Sequence, residues 1–321
     1  MPALLGLDPA TYRPHELHSP ERQFQETNCY TDLWIELLHA QGFEPLAMLA
    51  FCAMVDFEGD QWTFFKPPPE DLARLYGLEV QEFVVYRSLP EHILEQLDLG
   101  RSVIVEADAY YLPDTAGRSY REQHEKSSIA VESLDVEGER MRYFHGPGYY
   151  EVDGDDYRNV LRLGREFSVD VLPPFIEFVR SDRLAGCPPE QLRGVAAELL
   201  DVQIARTPVQ NPVSRFGGRL TDDLPHLLEN EQAYHLYAFA TVRQCGAAWD
   251  AASSFLVWLA AGEDGDTARA AEVFASLAGA AKMLLFKLAR ASATGKTLDP
   301  APAIEDMAAT WEQAMRLLGG R

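Results

Sequence analysis

Residues 28–42, NCYTDLWIELLHAQG, decide how the first half of the chain is read. Apolar residues at 33, 34, 37 and 38 recur at helical spacing, and Gly42 follows where a helix would stop. Asn28 stands where a side-chain oxygen can cap the first turn, so Cys29 falls on the first turn itself. There the unpaired amide N–H groups and the positive end of the helix dipole favour a thiolate over a thiol. Cys29 is therefore the candidate nucleophile. Gln23, six residues upstream, is the candidate donor to an oxyanion formed on the carbon that sulfur attacks.

Outward from this helix the pattern alternates and then changes. PPPEDLARLYG (67–77) and LPEHILEQLDLG (89–100) read as short helices, and LEVQEFVVY (78–86) has strand character. From residue 102 strands take over: SVIVEADAYYL, KSSIAVESLD and RMRYFHG are β-branched or alternating, with the polar VEGE connection of a hairpin between the last two. Helix first and antiparallel sheet second predicts an α+β domain over residues 1–165. Beyond Pro173 and Pro174 the segments FIEFVRSD, PEQLRGVAAELLDVQIAR, 224–262, 267–295 and 302–319 are Ala- and Leu-rich, and they predict a mainly helical bundle over 166–321. TPVQNPVSRFGG (207–218) reads as a joint between helices.

Composition narrows the partners. With Lys+Arg 28 against Asp+Glu 50 the formal charge is −22, which repels a phosphate backbone and an anionic bilayer, so neither nucleic acid nor membrane is expected. The first residues lack the features of a signal peptide and the longest apolar runs are short, which predicts a soluble, cytoplasmic protein. Four cysteines without CxxC spacing argue against a zinc site or a disulfide framework, and Cys52, Cys187 and Cys245 read as small buried hydrophobes. No Gly-rich phosphate loop, HExxH or GxSxG is present, and no tightly bound cofactor is expected.

A nucleophilic cysteine needs a base, and His124, just ahead of the strand KSSIAVESLD, is the candidate. Two residues compete to orient its ring. His145 ends the next strand in YFHG, while Asp108 shares one strand face with Ile104 and Glu106 by period-2 alternation. Arg158, Arg162 and Arg165 in YRNVLRLGR fall at helical spacing and predict a basic stripe, either a docking site for an acidic partner or a solvated face paired with local carboxylates. SRFGGR, with Arg215 and Arg219, reads as a turn before a helix. His235 reads as a core or interhelix residue.

The run QFQETNCYTDLW (23–34) resembles the oxyanion glutamine and nucleophile of papain-like enzymes. The run VIVEADAYYLPDTAGRSYREQHEKSSIAVESLD (103–135) resembles the strand, tyrosine-rich loop and histidine of the family of butirosin biosynthesis protein H, whose members move an acyl group from a carrier-protein thioester to an amine. The chain also resembles a bacterial family whose genes occur near those of amino acid:carrier-protein ligases. These resemblances imply a papain-like fold, Cys29 as nucleophile, His124 as base, Gln23 as oxyanion donor, an acyl or aminoacyl carrier protein as partner, its phosphopantetheine arm as substrate and a small molecule as acceptor. The sequence departs from the papain pattern at His145, where Asn or Asp is usual. A cysteine peptidase or amidase, and a non-catalytic binding protein on the same fold, are the alternatives.

Overall fold

The computed structural model describes residues 3–165, 168, 170 and 172–319. Its helices, in chain order, are α1 (Cys29–Ala40), α2 (Pro69–Tyr76), α3 (Leu89–Asp98), α4 (Gly154–Val160), α5 (Leu192–Ile204), α6 (Pro212–Glu229), α7 (Glu231–Ala240), α8 (Val242–Ala260), α9 (Asp266–Thr294) and α10 (Ala301–Gly319). Its strands are β1 (Glu79–Glu82), β2 (Ser102–Asp108), β3 (Lys126–Asp135), β4 (Arg140–His145), β5 (Gly148–Asp153) and β6 (Ile176–Arg180). Two compact units result. One holds the chain up to Ser19, Asn28–Pro45 and Pro69–Cys187; the other holds Pro20–Thr27, Leu46–Pro68 and the chain from Pro188 onward.

The first unit is α+β, built on a six-stranded antiparallel sheet of order β1-β6-β2-β3-β4-β5. Strand alternation gives the sheet two faces of different character. Val103, Val105, Ile129, Val131, Tyr143, Val152 and Ile176 point to one face and form a single buried cluster with Leu89, Ile93 and Leu97 of α3 and Tyr157 and Val160 of α4. Each large apolar side chain buried there contributes about 1.5–3 kcal/mol of transfer free energy. The opposite face carries Ile104, Glu106, Asp108, Ala130, Phe144, Tyr149 and Glu177, and α1 covers it. Tyr30 donates from its hydroxyl to Glu177 Oε2 at 2.7 Å. Tyr12, whose hydroxyl donates to Glu36 of α1, stacks its ring edge on Phe144, with centroids 5.7 Å apart.

Local signals explain most of these elements. Asn28 accepts from the amides of Tyr30 and Thr31 and so starts α1; Ser88 and Glu91 form a capping box on α3. Gly77 ends α2 at φ +72°, and a Cβ there would sit 2.6 Å from the Gly186 nitrogen and from the Leu184 oxygen, so a side chain is excluded twice over.

Three expectations are corrected. FIEFVRSD was expected to be helical, but Ile176–Arg180 is a strand between β1 and β2; five residues with β-branched and aromatic side chains are too few for a stable helix and fill a vacant sheet position. With β6 included, the sheet unit extends past residue 165 to Cys187. The joint expected over 207–218 is found only up to Asn211, between α5 and α6; SRFGG, expected as a turn, lies inside α6, where Asn211 caps, Pro212 opens the helix, and Gly217 admits Ile304: a Cβ at Gly217 would meet Ile304 Cγ2 at 2.3 Å. Lastly, β5 adds a strand in GYYEVD that the sequence pattern did not single out.

The second unit is helical. Phe57, Trp62, Phe216 and Trp249 form its aromatic centre, with Trp62 and Trp249 centroids 5.4 Å apart and nearly perpendicular. Arg22 Nη2 and Asp250 Oδ2 pair at 2.7 Å against α8. No helix among the described residues is long and apolar enough to cross a membrane.

Candidate active site

Cys29 is the first residue of α1 and is half-buried. Its position leaves it one unusual resource. Of the first-turn amides, those of Tyr30 and Thr31 are taken by Asn28 Oδ1 and that of Asp32 by the Asn28 carbonyl, whereas the Cys29 amide has no acceptor among the described residues. A donor at the attacking residue's own nitrogen is where an acyl-transfer oxyanion forms. The thiol likewise has no hydrogen-bond partner among the described residues, His124 included.

His124 lies two residues before β3, in the segment that leads from Asp108. The antiparallel register sets Asp108 opposite Lys126, which carries the carboxylate to the histidine: His124 Nδ1 and Asp108 Oδ2 are 2.6 Å apart. The ring stacks on Tyr110, centroids 4.4 Å apart at 17°, and meets Tyr111 edge-on. Held by Asp108 through Nδ1, the imidazole presents Nε2, for which the described residues supply no partner. This is the orientation a general base needs.

His145 belongs to the other face. It follows Tyr143 by two residues, so its ring points to the side of the apolar cluster. There Nδ1 meets Asp114 Oδ2 at 2.5 Å and Nε2 meets the Ser127 hydroxyl at 2.6 Å. Tyr143 donates to the second Asp114 oxygen at 2.5 Å, and burial together with that carboxylate raises the Tyr143 pKa. The order of atoms is that of a serine–histidine–aspartate relay. All three side chains are buried, however, and the network ties the segment 109–124 to the sheet. Of the two candidates for orienting His124, the structure brings Asp108 to it and gives His145 other partners.

A third histidine network pins the N-terminal segment onto α1. His18 Nδ1 meets Glu36 and Nε2 meets Asp32 at 3.3 Å; all three side chains are buried. Burial by itself would lower the His18 pKa, but the hydrogen bonds and charges of Asp32 and Glu36 outweigh it and push it up to about 9.

A cavity of about 810 Å³ lies at the ends of β1 and β2 beside the segment that follows α4, and no residue of α1, Cys29 included, is among its lining. It is lined by Glu82, Glu106, Asp108, Tyr111 and His124, by Asn159, Arg162 and Arg165, and by Asp170 and 172–175. Glu177, the acceptor of the Tyr30 hydroxyl, pairs across the sheet with Glu82 and with Ile104. The helix start that carries Cys29 and the acidic lining of the cavity therefore rise from the same face of β6 and its two neighbours.

The expected arginine stripe divides. α4 ends at Val160, and Arg162 takes the left-handed conformation at φ +59°, an uncommon one for a residue with a Cβ. Arg158 stays on the helix surface and pairs with Glu139 at 2.8 Å, while Arg162 and Arg165 turn to the cavity. Gln23 lies in the helical unit, where its Nε2 donates to the Ala275 carbonyl at 3.0 Å and Lys282 donates to its own carbonyl at 2.6 Å. Arg215 and Arg219 of SRFGGR pair with Asp56 and Asp223. His235, expected in a core, is exposed on α7 beside Glu231. Cys52 and Cys245 are buried as expected; Cys187 is half-buried, donating to the Leu75 carbonyl. Glu82, Asn159, Tyr110 and Ser127 escaped the sequence reading, because strand register, not spacing, brings them to their partners.

Among the described residues no group of three or more His, Cys, Asp or Glu side chains is arranged to hold a metal ion. Residues 13–181 match the DUF1839 N-terminal domain and residues 189–319 the DUF1839 C-terminal domain, so the two matched stretches divide close to where the sheet unit ends. No curated protein matches the chain.

Proposed function

This chain belongs to the two-domain DUF1839 family, and we propose that it is a cysteine-dependent acyltransferase with a papain-like arrangement of nucleophile and base. The observation that carries the reading is the 2.6 Å contact of His124 Nδ1 with Asp108, which turns Nε2 outward beside a cavity that both residues line, while Cys29, outside that lining, heads the helix that covers the Asp108 face of the sheet. In this reading Nε2 takes the Cys29 proton and the thiolate attacks the carbonyl of a thioester. The Cys29 amide donates to the oxyanion, the new S–C bond forms, and the departing thiolate takes its proton from the imidazolium. An amine acceptor then attacks the acyl-cysteine and gives its proton to Nε2; the C–S bond breaks and Cys29 is restored. Thioester exchange is nearly balanced in energy, so position and a thiolate are the main requirements.

An acyl or aminoacyl carrier protein is the proposed donor, with its phosphopantetheine arm as the bound part. Four cysteines without CxxC or disulfide-framework spacing suit a reducing compartment, and we place the reaction in the cytoplasm. Residue Gln23, whose amide serves the helical unit, is not needed in this scheme. The test is to incubate the protein with a charged carrier protein and read intact mass. An acyl adduct that is absent from Cys29→Ala supports the reading; no adduct, or one that survives the substitution, removes it.

A further inference from the structure

The cavity lining carries charge of both signs, Glu82, Glu106, Asp108 and Asp170 with Arg162 and Arg165, and the two arginines are not closed off by ion pairs at contact distance among the described residues. In a chain with 28 basic and 50 acidic residues a surface arginine is expected to find a carboxylate. Arg158, Arg180, Arg215 and Arg219 all do. Arg162 and Arg165 make no contact-distance ion pair among the described residues, though Glu106 and Asp108 act on Arg162 electrostatically: Arg162 donates to the Leu172 carbonyl and Arg165 to Asn159 Oδ1 at 3.1 Å, both neutral acceptors. Each guanidinium has five donors in a rigid fork, so most of them stay available to an oxyanion. The left-handed backbone at Arg162 belongs to the cap that ends α4, in which Leu163 N donates to the Arg158 carbonyl at 2.8 Å and Arg162 N to that of Asn159 at 3.1 Å.

Glu82 is exposed with no cation at hydrogen-bond distance among the described residues, and Glu106 has the exposed Lys126 ammonium at 3.8 Å and acts electrostatically on Arg162. Asp108 is committed to His124. The lining thus offers carboxylates to a cation and guanidinium groups to an anion, with the His124 ring among them.

We propose that the cavity binds a bipolar amine, its ammonium group on the Glu82–Glu106 side and an anionic group, carboxylate or phosphate, on Arg162 and Arg165. Assigning that molecule as the acceptor rests on the acyl-transfer reading; its binding does not. A neutral amine held between Glu106 and His124 would have its nitrogen beside the base that must take its proton, and the anion on the arginines would fix which end of the acceptor points inward.

The experiment is calorimetric titration of full-length Cys29→Ala protein with 6-aminohexanoate, 6-aminohexyl phosphate, 6-aminohexanamide and hexanoate. Binding of at least one bipolar compound is expected, with both one-ended analogues weaker by about tenfold or more, the loss of one charge-assisted contact. The two bipolar compounds distinguish carboxylate from phosphate. Arg162→Gln and Arg165→Gln are expected to erase the advantage over the amide, and Glu106→Gln the advantage over hexanoate. Circular dichroism and thermal unfolding check that each variant is folded. Equal binding of bipolar and one-ended compounds, unchanged affinity in the arginine variants, or no binding by any compound overturns the proposal. Bipolar binding without any acyl adduct on Cys29 would leave this inference standing and remove the acyl-transfer reading.

Discussion

The two faces of the sheet each carry a histidine bound to an aspartate, and the pairs differ in everything but that bond. His124 and Asp108 sit at 2.6 Å, with side chains 67% and 33% exposed and Nε2 presented outward. His145 and Asp114 sit at 2.5 Å, with 6% and 5% exposed and Nε2 closed off by Ser127. Hydrogen-bond length does not distinguish the two pairs; solvent access and an uncommitted second nitrogen do. A buried hydrogen-bonded pair serves the fold, since removing one partner leaves the other under-satisfied in a low dielectric. An exposed pair contributes little to stability, which leaves its geometry available for chemistry.

The comparison can be broken by exchanging the expected losses. His124→Ala should lower the rate of Cys29 acylation by about 10⁴-fold or more, the scale seen when a nucleophile loses its base, and leave urea unfolding nearly unchanged. His145→Ala should do the opposite, costing about 3–5 kcal/mol in urea unfolding because Asp114 is left buried without its partner. If His124→Ala unfolds the protein while His145→Ala merely slows it, the two pairs have been assigned the wrong way round.

The His18 network sharpens the comparison with a pH axis. Its folded pKa of about 9 lies above the ordinary 6.5, so its contribution is fully present below 6.5 and is lost as pH rises through 9. Thermal midpoints of the wild type should therefore fall between those values, by an amount equivalent to roughly 3 kcal/mol. In His18→Gln that part of the slope should vanish. A flat wild-type profile would show that Asp32 and Glu36 do not hold the ring charged.

Two smaller effects complete the series. Asp108→Asn should slow acylation by about 10–100-fold through loss of ring orientation, with Asp108→Glu recovering part of it and the pH–rate profile shifting; a uniform loss of folded protein instead would make Asp108 structural. Ser127→Ala should cost about 1 kcal/mol of stability and leave acylation unchanged. A large rate effect there would mean that the buried relay, and not His124, performs the chemistry.

Legibility in the sequence followed the range of the interactions involved. The α1 start was readable because its cap, Asn28, and its apolar rows lie within a few residues. Strands β2, β3 and β4 were readable because alternation and a polar connection are also local. FIEFVR failed as a helix because its partners, β1 and β2, are some 70 to 100 residues away along the chain, and a five-residue apolar run carries no period of its own. The arginine stripe failed because α4 stops at Val160, before the spacing could be realised.

Residue types and their short-range order determined that this chain makes an acidic α+β protein with a helical second half, and that Cys29 heads a capped helix. They also named His124 and both of its possible companions. Only the tertiary structure decided between those companions, because strand parity sends Asp108 and His145 to opposite faces and antiparallel register sets Asp108 opposite Lys126. It alone gathered Glu82, Glu106, Arg162 and Arg165 around one cavity. Local propensity acts over a turn or a strand, whereas a site is assembled by pairings between distant segments, which no short window of sequence contains.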